Sequence, residues 1–262
     1  MTNKITHAVD AAPYPVAPSI WIAFPQYDDW LNVIDPSQNK YDDMKSQHQQ
    51  GAKKKLDLIS SKSTGQAVFA EFRDRSSYSV MIFPFAFVPD VQQPGTVATT
   101  VPLEGPAATE KDWPLTLPGI IQRVCDKHQV CRRDTGTGTG SAVDIYYWPG
   151  PEEFLLHELV HASRNVKGVA RPSPLGGPKG LYPNEEEFYA TLVENMYLSQ
   201  WGKGLSHYNG DPFDAKDFLD SDFVPGPRYL IYQFGKRQPT LFGRLKDLRA
   251  PFNPIQQYWR VP

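Results

Sequence analysis

The pentapeptide His157-Glu158-Leu159-Val160-His161 constrains this chain more than any other feature, because its two histidines are four residues apart. Residues at this spacing lie on one face of an α-helix, so both imidazoles can reach the same metal ion. Glu158 is turned from His157 by about 100° on a 3.6-residue helix, which places its carboxylate beside a water on the metal. The pattern therefore predicts a helix that carries two zinc ligands and a general base.

The flanking residues favour this helix. Pro151 suits a first turn, Glu152 and Glu153 suit the positive N-terminal end, and Arg164 and Lys167 lie towards the other end. The opposite, largely apolar face consists of Leu156, Leu159, Val160 and Ser163. The simpler alternative stays open at this point, namely that two helical histidines form hydrogen bonds without binding a metal ion.

A catalytic zinc site usually has three protein ligands, so a third ligand must come from elsewhere in the chain. No His-x-x-Gly-x-x-His continuation follows His161, which leaves a downstream carboxylate as the natural candidate. A second helix is predicted from Asn184 to about Ser199, with an apolar stripe of Phe188, Leu192, Val193 and Met196. Its acidic residues Glu185, Glu186, Glu187 and Glu194 are the candidates. Glu187 also fits a capping box with Asn184, a purely structural alternative.

The segment from His157 to Ala162, followed by the segment from Tyr182 to Ala190, resembles bacterial effector and toxin zinc metallopeptidases and the catalytic domain of anthrax lethal factor. The resemblance covers about residues 141–200. It implies that Glu187 is the third ligand, so that one Zn²⁺ ion is held by His157, His161 and Glu187.

The resemblance also implies a tyrosine that stabilises the tetrahedral intermediate. Tyr182 is the nearest match, offset by two residues, and His207 and Tyr208 are rival donors. Many zinc peptidases of the glutamate type carry an acid four residues after the ligand to hold a histidine. Thr191 occupies that place here, and Glu194 is the alternative.

The predicted function is that of a zinc metalloendopeptidase, with Glu158 as the general base and Tyr182 as the oxyanion donor. The resemblance further implies a secreted bacterial effector or toxin acting on a protein or peptide substrate. Two alternatives stay open. One is a zinc amidase or peptidase acting on cell-wall peptides, and the other is a non-catalytic binding protein with a degenerate zinc site.

The predicted fold is an α+β, zincin-like domain spanning residues 21–262, after an extended or poorly ordered lead at residues 1–20. Its sheet should be small and mainly antiparallel, with the motif helix packed against the helix that bears Glu187. A hairpin is predicted from strands at Ala67–Phe72 and Tyr78–Val88, and a further strand at Ser141–Trp148 would bind an extended peptide if it lies at an edge.

The other segments follow from composition and periodicity. Helices are predicted from about Asp42 to Ser60 and from Ile120 to Val130, with a long irregular connection over residues 89–119 and a flexible turn over 136–140. The tail over residues 211–262 should wrap the second motif helix. Cys125 and Cys131 are interpreted as two free thiols or one local disulfide rather than a metal site.

Charge and hydropathy argue against several partners. A net charge of −2 gives no basic field for nucleic acid, and Lys53, Lys54 and Lys55 fit a solvated helix face. The longest apolar stretch, Val80 to Val88, is interrupted by Pro84 and is too short for a membrane span. Met1 to Pro18 lacks the apolar run of a secretory signal. The resemblance to bacterial effectors implies a protein that is cytoplasmic in the producing cell and exported or injected by a specialised system, with secretion machinery or a chaperone as a further partner. The lack of a signal agrees with this.

Overall fold

The structure is a computed structural model that describes residues 9–25, 38–73, 78–85, 98–102, 140–148, 150–171, 182–207, 210–218 and 226–258. Several predictions fall outside these ranges and stay predictions. They concern the helix at 120–130, both cysteines, Tyr208 and most of the turn at 136–140.

A five-stranded mixed sheet forms the centre of the described chain. Its strands are β1 (Val9–Tyr14), β2 (Ala17–Pro25), β3 (Val80–Pro84), β4 (Ala98–Pro102) and β5 (Val143–Tyr147), in the spatial order β1-β2-β3-β5-β4. The pairs β2/β3 and β3/β5 are parallel, whereas β1/β2 and β4/β5 are antiparallel. The expectation of an α+β fold is confirmed. The expectation of a mainly antiparallel sheet is wrong, because the three inner strands run in the same direction.

Regular structure begins earlier in the chain than predicted. β1 pairs with β2 along Val9–Tyr14, and Tyr14 is almost fully buried in the main core. The expectation that ordered structure starts near Trp21 is therefore wrong. Pro13 lies in β1, at an edge of the described sheet, where a missing N–H group need not cost a ladder hydrogen bond.

β4 changes the prediction for the sheet edge. It lies within residues 89–119, where the sequence suggested an irregular connection, and its Ala-Thr-Thr-Val run supplies the β-branched residues that a strand favours. β5 confirms the strand predicted at Ser141–Trp148, but it pairs on both sides, with β3 and β4. Among the described residues the edge strand beside the motif helix is therefore β4, and β5 does not meet the condition set for binding a peptide at an edge.

Two helices precede β3. The helix α1 (Gln38–Ser60) confirms the prediction and buries Ala52, Leu56 and Ile59 on one face. The helix α2 (Ser63–Phe69) and a 3₁₀ turn (Ala70–Phe72) replace the predicted strand at Ala67–Phe72, so the hairpin prediction is wrong.

The spacing of buried residues explains this outcome. Gly65, Val68, Phe69 and Phe72 are buried at intervals of three and four, a helical period that a short apolar run does not separate from a strand. Gly65 also allows the chain to turn sharply after α1, since a Cβ atom there would lie 1.9 Å from the carbonyl oxygen of Ile59. A side chain at this position would force α2 away from α1.

The first motif helix packs against β4 and β5 on one face of the sheet, and the second packs on the first. They are α3 (Glu152–Val166) and α4 (Glu185–Gln200), and both pack in the main apolar core. Alternation along β5 directs Val143, Ile145 and Tyr147 into this core, while Tyr146 joins the cluster on the other face. Gly140 brings β5 close to the end of α3, because a Cβ atom there would lie 2.0 Å from the carbonyl oxygen of Val166.

The C-terminal part packs on α4, as predicted for the described residues. After the short pair β6 (Leu205–Ser206) and β7 (Pro212–Phe213) come the helices α5 (Ala215–Phe218), α6 (Pro227–Arg237), α7 (Pro239–Lys246) and α8 (Pro254–Tyr258). Phe234 of α6 stacks on Tyr189 of α4 with ring centroids 5.0 Å apart. The backbone N–H of Phe252 donates to the Ser199 hydroxyl. In the part of the chain that the structure describes, none of the helices combines the length and apolarity required to cross a bilayer.

Candidate metal centre

The motif helix forms as predicted and presents both histidines together. His157 and His161 lie one turn apart on α3, with ring centroids 4.8 Å from each other. Four residues on the opposite face are completely buried: Leu156, Leu159, Val160 and Ser163. Helix packing therefore fixes the direction in which the two imidazoles point.

The start of α4 brings Glu187 to these histidines. Asn184 caps the helix, and its side-chain oxygen accepts a hydrogen bond of 3.0 Å from the backbone N–H of Glu187. Half of the predicted capping box is thus present. The Glu187 carboxylate extends to the histidines instead, with Oε2 3.1 Å from Nε2 of His157 and Oε1 3.5 Å from Nε2 of His161.

These three residues are suited to hold one metal ion. One ligand atom from each of His157, His161 and Glu187 can be chosen so that all three lie within 4.8 Å of one another. Two imidazole nitrogens and one carboxylate oxygen form a donor set that catalytic zinc accepts. The cluster is largely buried, with the Glu187 side chain 25% exposed. The donor set therefore fits zinc and leaves an approach from solvent.

The charges within the cluster are strongly coupled. Burial opposes a charge on His157, but the carboxylates of Glu187 and Glu194 outweigh burial and hold the pKa of His157 well above its ordinary value. Burial likewise tends to raise the pKa of Glu187, yet the neighbouring His161 and His157 hold that pKa far below its usual range. Without a metal ion, positive charge on His157 partly balances the carboxylates.

Glu194 holds the second nitrogen of His157. Its Oε2 lies 2.8 Å from Nδ1 of His157, and its Oε1 accepts a hydrogen bond of 3.2 Å from the Ser206 hydroxyl. Asn195 fixes Ser206 in turn by two hydrogen bonds to its backbone. The sequence left this contact unassigned, because Thr191 stands where an acid is expected, and named Glu194 as the substitute. In the structure Glu194, seven residues after Glu187, makes the contact. A carboxylate here directs the other ring nitrogen of His157 towards a metal ion.

Glu158 points to the edge strand. Its Oε2 accepts a hydrogen bond of 2.6 Å from the hydroxyl of Thr100 in β4, and the residue is only 9% exposed. Its carboxylate is not among the three groups that converge. The position of Glu158 fits a residue that lies beside a metal ion and does not bind it. Thr100 and Ser206 are contacts of the site that the sequence did not predict.

The other two acidic candidates at the start of α4 bind arginines. Glu185 accepts a hydrogen bond from Arg237, and both carboxylate oxygens of Glu186 accept hydrogen bonds from the fully buried guanidinium of Arg164. Of the four acidic candidates, the structure thus brings Glu187 to the Nε2 atoms of both histidines.

The proposed oxyanion donors are placed less directly. Tyr182 is buried with its ring edge-on to Phe188 at 5.3 Å, and burial, with a smaller contribution from the Glu194 charge, raises its pKa. His207 begins the loop between β6 and β7, where its backbone N–H donates to the carbonyl of Asp211. The roles of Tyr182 and His207 in stabilising an oxyanion stay predictions.

Comparison with known proteins gives no family assignment: no family model matches the chain, and no curated protein sequence matches it.

Proposed function

We propose that this chain is a zinc-dependent metallopeptidase with a zincin-like active site. The observation that carries the proposal is the approach of the Glu187 carboxylate to both Nε2 atoms of the His-Glu-x-x-His helix, at 3.1 and 3.5 Å. The Glu194 contact with Nδ1 of His157 supports it, because histidines that bind metal usually donate their other N–H to a carboxylate.

His157, His161 and Glu187 would hold the ion. Bound zinc supplies Lewis acidity, which lowers the pKa of water and polarises the scissile carbonyl. Glu158 takes the proton from the attacking water on a carboxylate oxygen and passes it to the leaving nitrogen. Glu194 would accept a hydrogen bond from the protonated Nδ1 of His157, which would leave Nε2 to hold the ion.

A peptide substrate is favoured by the edge strand. β4 pairs with β5 on one side and lies at the edge of the described sheet, and its Thr100 touches the proposed base Glu158. An extended peptide that adds to such an edge forms backbone hydrogen bonds without needing one particular sequence. The place of β4 beside the base supports cleavage of extended chains. The proposal that the protein is a secreted bacterial effector or toxin rests on the resemblance of residues 141–200 alone.

The test measures zinc content and proteolysis in matched variants. Glu158→Gln should retain stoichiometric zinc and lose about 10²–10⁴-fold in kcat/KM on a quenched peptide library. Glu153→Gln is the control, because it makes the same change in the same helix at a residue that pairs with Lys203. A peptidoglycan preparation is assayed in parallel.

The proposal is overturned if the purified protein binds no zinc, or if Glu158→Gln cleaves as fast as wild type. Fragments released only from peptidoglycan would overturn the assignment of a protein substrate while retaining zinc-dependent hydrolysis.

A further inference from the structure

Thr100 connects the edge strand to the proposed general base. It lies in the middle of β4, opposite Ile145 of β5, and its hydroxyl oxygen is 2.6 Å from Oε2 and 3.1 Å from the backbone carbonyl oxygen of Glu158. A threonine hydroxyl has one proton, so it donates to one of these acceptors at a time. The ionised carboxylate is the stronger acceptor, and 2.6 Å is within the usual range for a charge-assisted O–H···O⁻ bond.

We propose that Thr100 is a positioning residue for Glu158. This inference rests on the proposed function, in which Glu158 moves a proton between water and the leaving nitrogen. The Thr100 hydroxyl occupies one carboxylate oxygen and leaves the other for that proton. It also restricts the side-chain torsions of Glu158, whose free rotation would place the base incorrectly for part of the time.

The position of Thr100 gives this contact a second consequence. β4 is the strand whose outer edge is proposed to receive the substrate, so one strand both aligns the peptide and holds the base. The distance between the scissile bond and the Glu158 carboxylate is then set by a single rigid element. Sites supported by strands and helices hold reacting groups more accurately than sites on loops.

A merely structural role makes a different prediction. If the hydroxyl only joined β4 to α3, its loss would lower stability and loosen the strand, which would raise KM for a substrate that pairs with β4. A positioning role lowers kcat instead, with KM and zinc affinity close to wild type. The split between kcat and KM therefore separates the two roles.

The experiment compares three substitutions at Thr100 with one at a threonine outside β4. Thr100→Val keeps shape and strand propensity, and should lower kcat about 10–100-fold with KM within about 3-fold of wild type, as misplaced catalytic groups do. Thr100→Ser restores the hydroxyl and should return kcat to within about 3-fold. Thr64→Val makes the same chemical change at a buried threonine of α2, outside β4 and the metal cluster, and should leave kcat nearly unchanged.

Thr100→Ala keeps the test decisive if Thr100→Val does not fold, because Ser and Ala at this site differ only by the hydroxyl. Crystal structures of the metal-free wild type and Thr100→Val provide a readout without activity, and the variant should show Glu158 in more than one orientation. An unchanged kcat in Thr100→Val, or equal kcat in Thr100→Ser and Thr100→Ala, overturns the proposal. If wild type itself hydrolyses nothing, the proposed function fails, while an unchanged Glu158 orientation in Thr100→Val would separately refute the positioning role.

Discussion

Two polar clusters join the same pair of helices, α3 and α4, and they balance their charges differently. Arg164 is fully buried and pairs with both oxygens of Glu186, while its remaining donors reach the Val169 carbonyl and the Gln238 side chain. In this cluster the positive charge of Arg164 is balanced by the negative charge of Glu186. In the other cluster, the carboxylates of Glu187 and Glu194 both face His157, and Glu187 also faces His161, so the balancing cations are rings that can lose their protons.

This is the difference expected between a structural ion pair and the proposed ligand site. The Arg164 cluster has a permanent cation, and a second cation would gain nothing there. The His157 cluster has an excess of acceptor atoms, and a proton is the cation that balances it in the absence of metal. Glu186 and Glu187 are neighbours in one helix turn, yet Glu186 pairs with a permanent cation and Glu187 faces the two histidines.

The largest expected effect is on stability, from breaking the structural pair. Glu186→Gln leaves the buried Arg164 charge without its anion and should lower the free energy of unfolding by about 3–5 kcal/mol. Urea denaturation of the metal-free protein measures this. Lys53→Gln is the control, because its pair with Asp57 is exposed and should cost less than about 1 kcal/mol. Equal effects of the two substitutions would contradict a structural role for Glu186.

Breaking the ligand site should affect metal binding instead. Glu187→Gln removes a charged ligand and should raise the zinc dissociation constant by more than about 100-fold, the upper end for loss of a mere supporting contact. Its effect on unfolding of the metal-free protein should be smaller than that of Glu186→Gln, since the Glu187 side chain is 25% exposed. Competition with a chromophoric chelator measures zinc affinity. Loss of zinc in folded Glu186→Gln with retention in Glu187→Gln would reverse the two assignments.

The motif residues of the site could be predicted from the sequence, because the interactions that place them join residues close together in the chain. The spacing of His157 and His161, the Asn184 cap and the helix that carries Glu187 depend on residues within a few turns. The choice among Glu185, Glu186 and Glu187 required the resemblance to known zinc peptidases. Arg164 and Arg237, which bind the other two, become visible only when the helices are packed.

The rest depended on contacts between distant segments. Thr100 lies 58 residues from Glu158, in a stretch whose Pro and Gly content suggested irregular structure. The parallel pairing of β3 with β2 and β5 likewise joins segments that no turn connects. In the segment Ala67–Phe72, a short apolar run fits either periodicity, and packing against α1, which Gly65 allows at its close approach to Ile59, is a contact that this run does not reveal.

A smaller effect on zinc affinity is expected at Glu194. Glu194→Gln keeps an oxygen that accepts from Nδ1 of His157 but removes the negative charge, and should weaken zinc binding about 10–100-fold. Ser206→Ala is the matched control, since it removes only the hydrogen bond to the other oxygen of Glu194 and should weaken binding less. If both variants bind zinc like wild type, Glu194 does not support the ligand His157.

The smallest expected effect is the pH dependence of the two clusters. Because Glu187 and Glu194 raise the pKa of His157, zinc must displace a proton from this ring, and affinity should fall about tenfold for each pH unit below that pKa. Isothermal titration calorimetry in buffers of different ionisation enthalpy measures the proton released. Binding that releases no proton would contradict a charged His157 in the metal-free protein.

The metal-free protein should show the opposite trend with pH. A raised pKa means that folding favours the protonated ring, so the stability that His157 contributes is fully present below its ordinary pKa of 6.5 and is lost as the pH rises through the folded value. Glu194→Gln removes one cause of the shift, and its destabilisation should therefore be larger at pH 6 than at pH 9. The Arg164 pair should show no such change over this range, because the guanidinium stays charged throughout. A pH-independent cost at Glu194 together with a pH-dependent cost at Glu186 would remove the distinction between the ligand site and the structural pair.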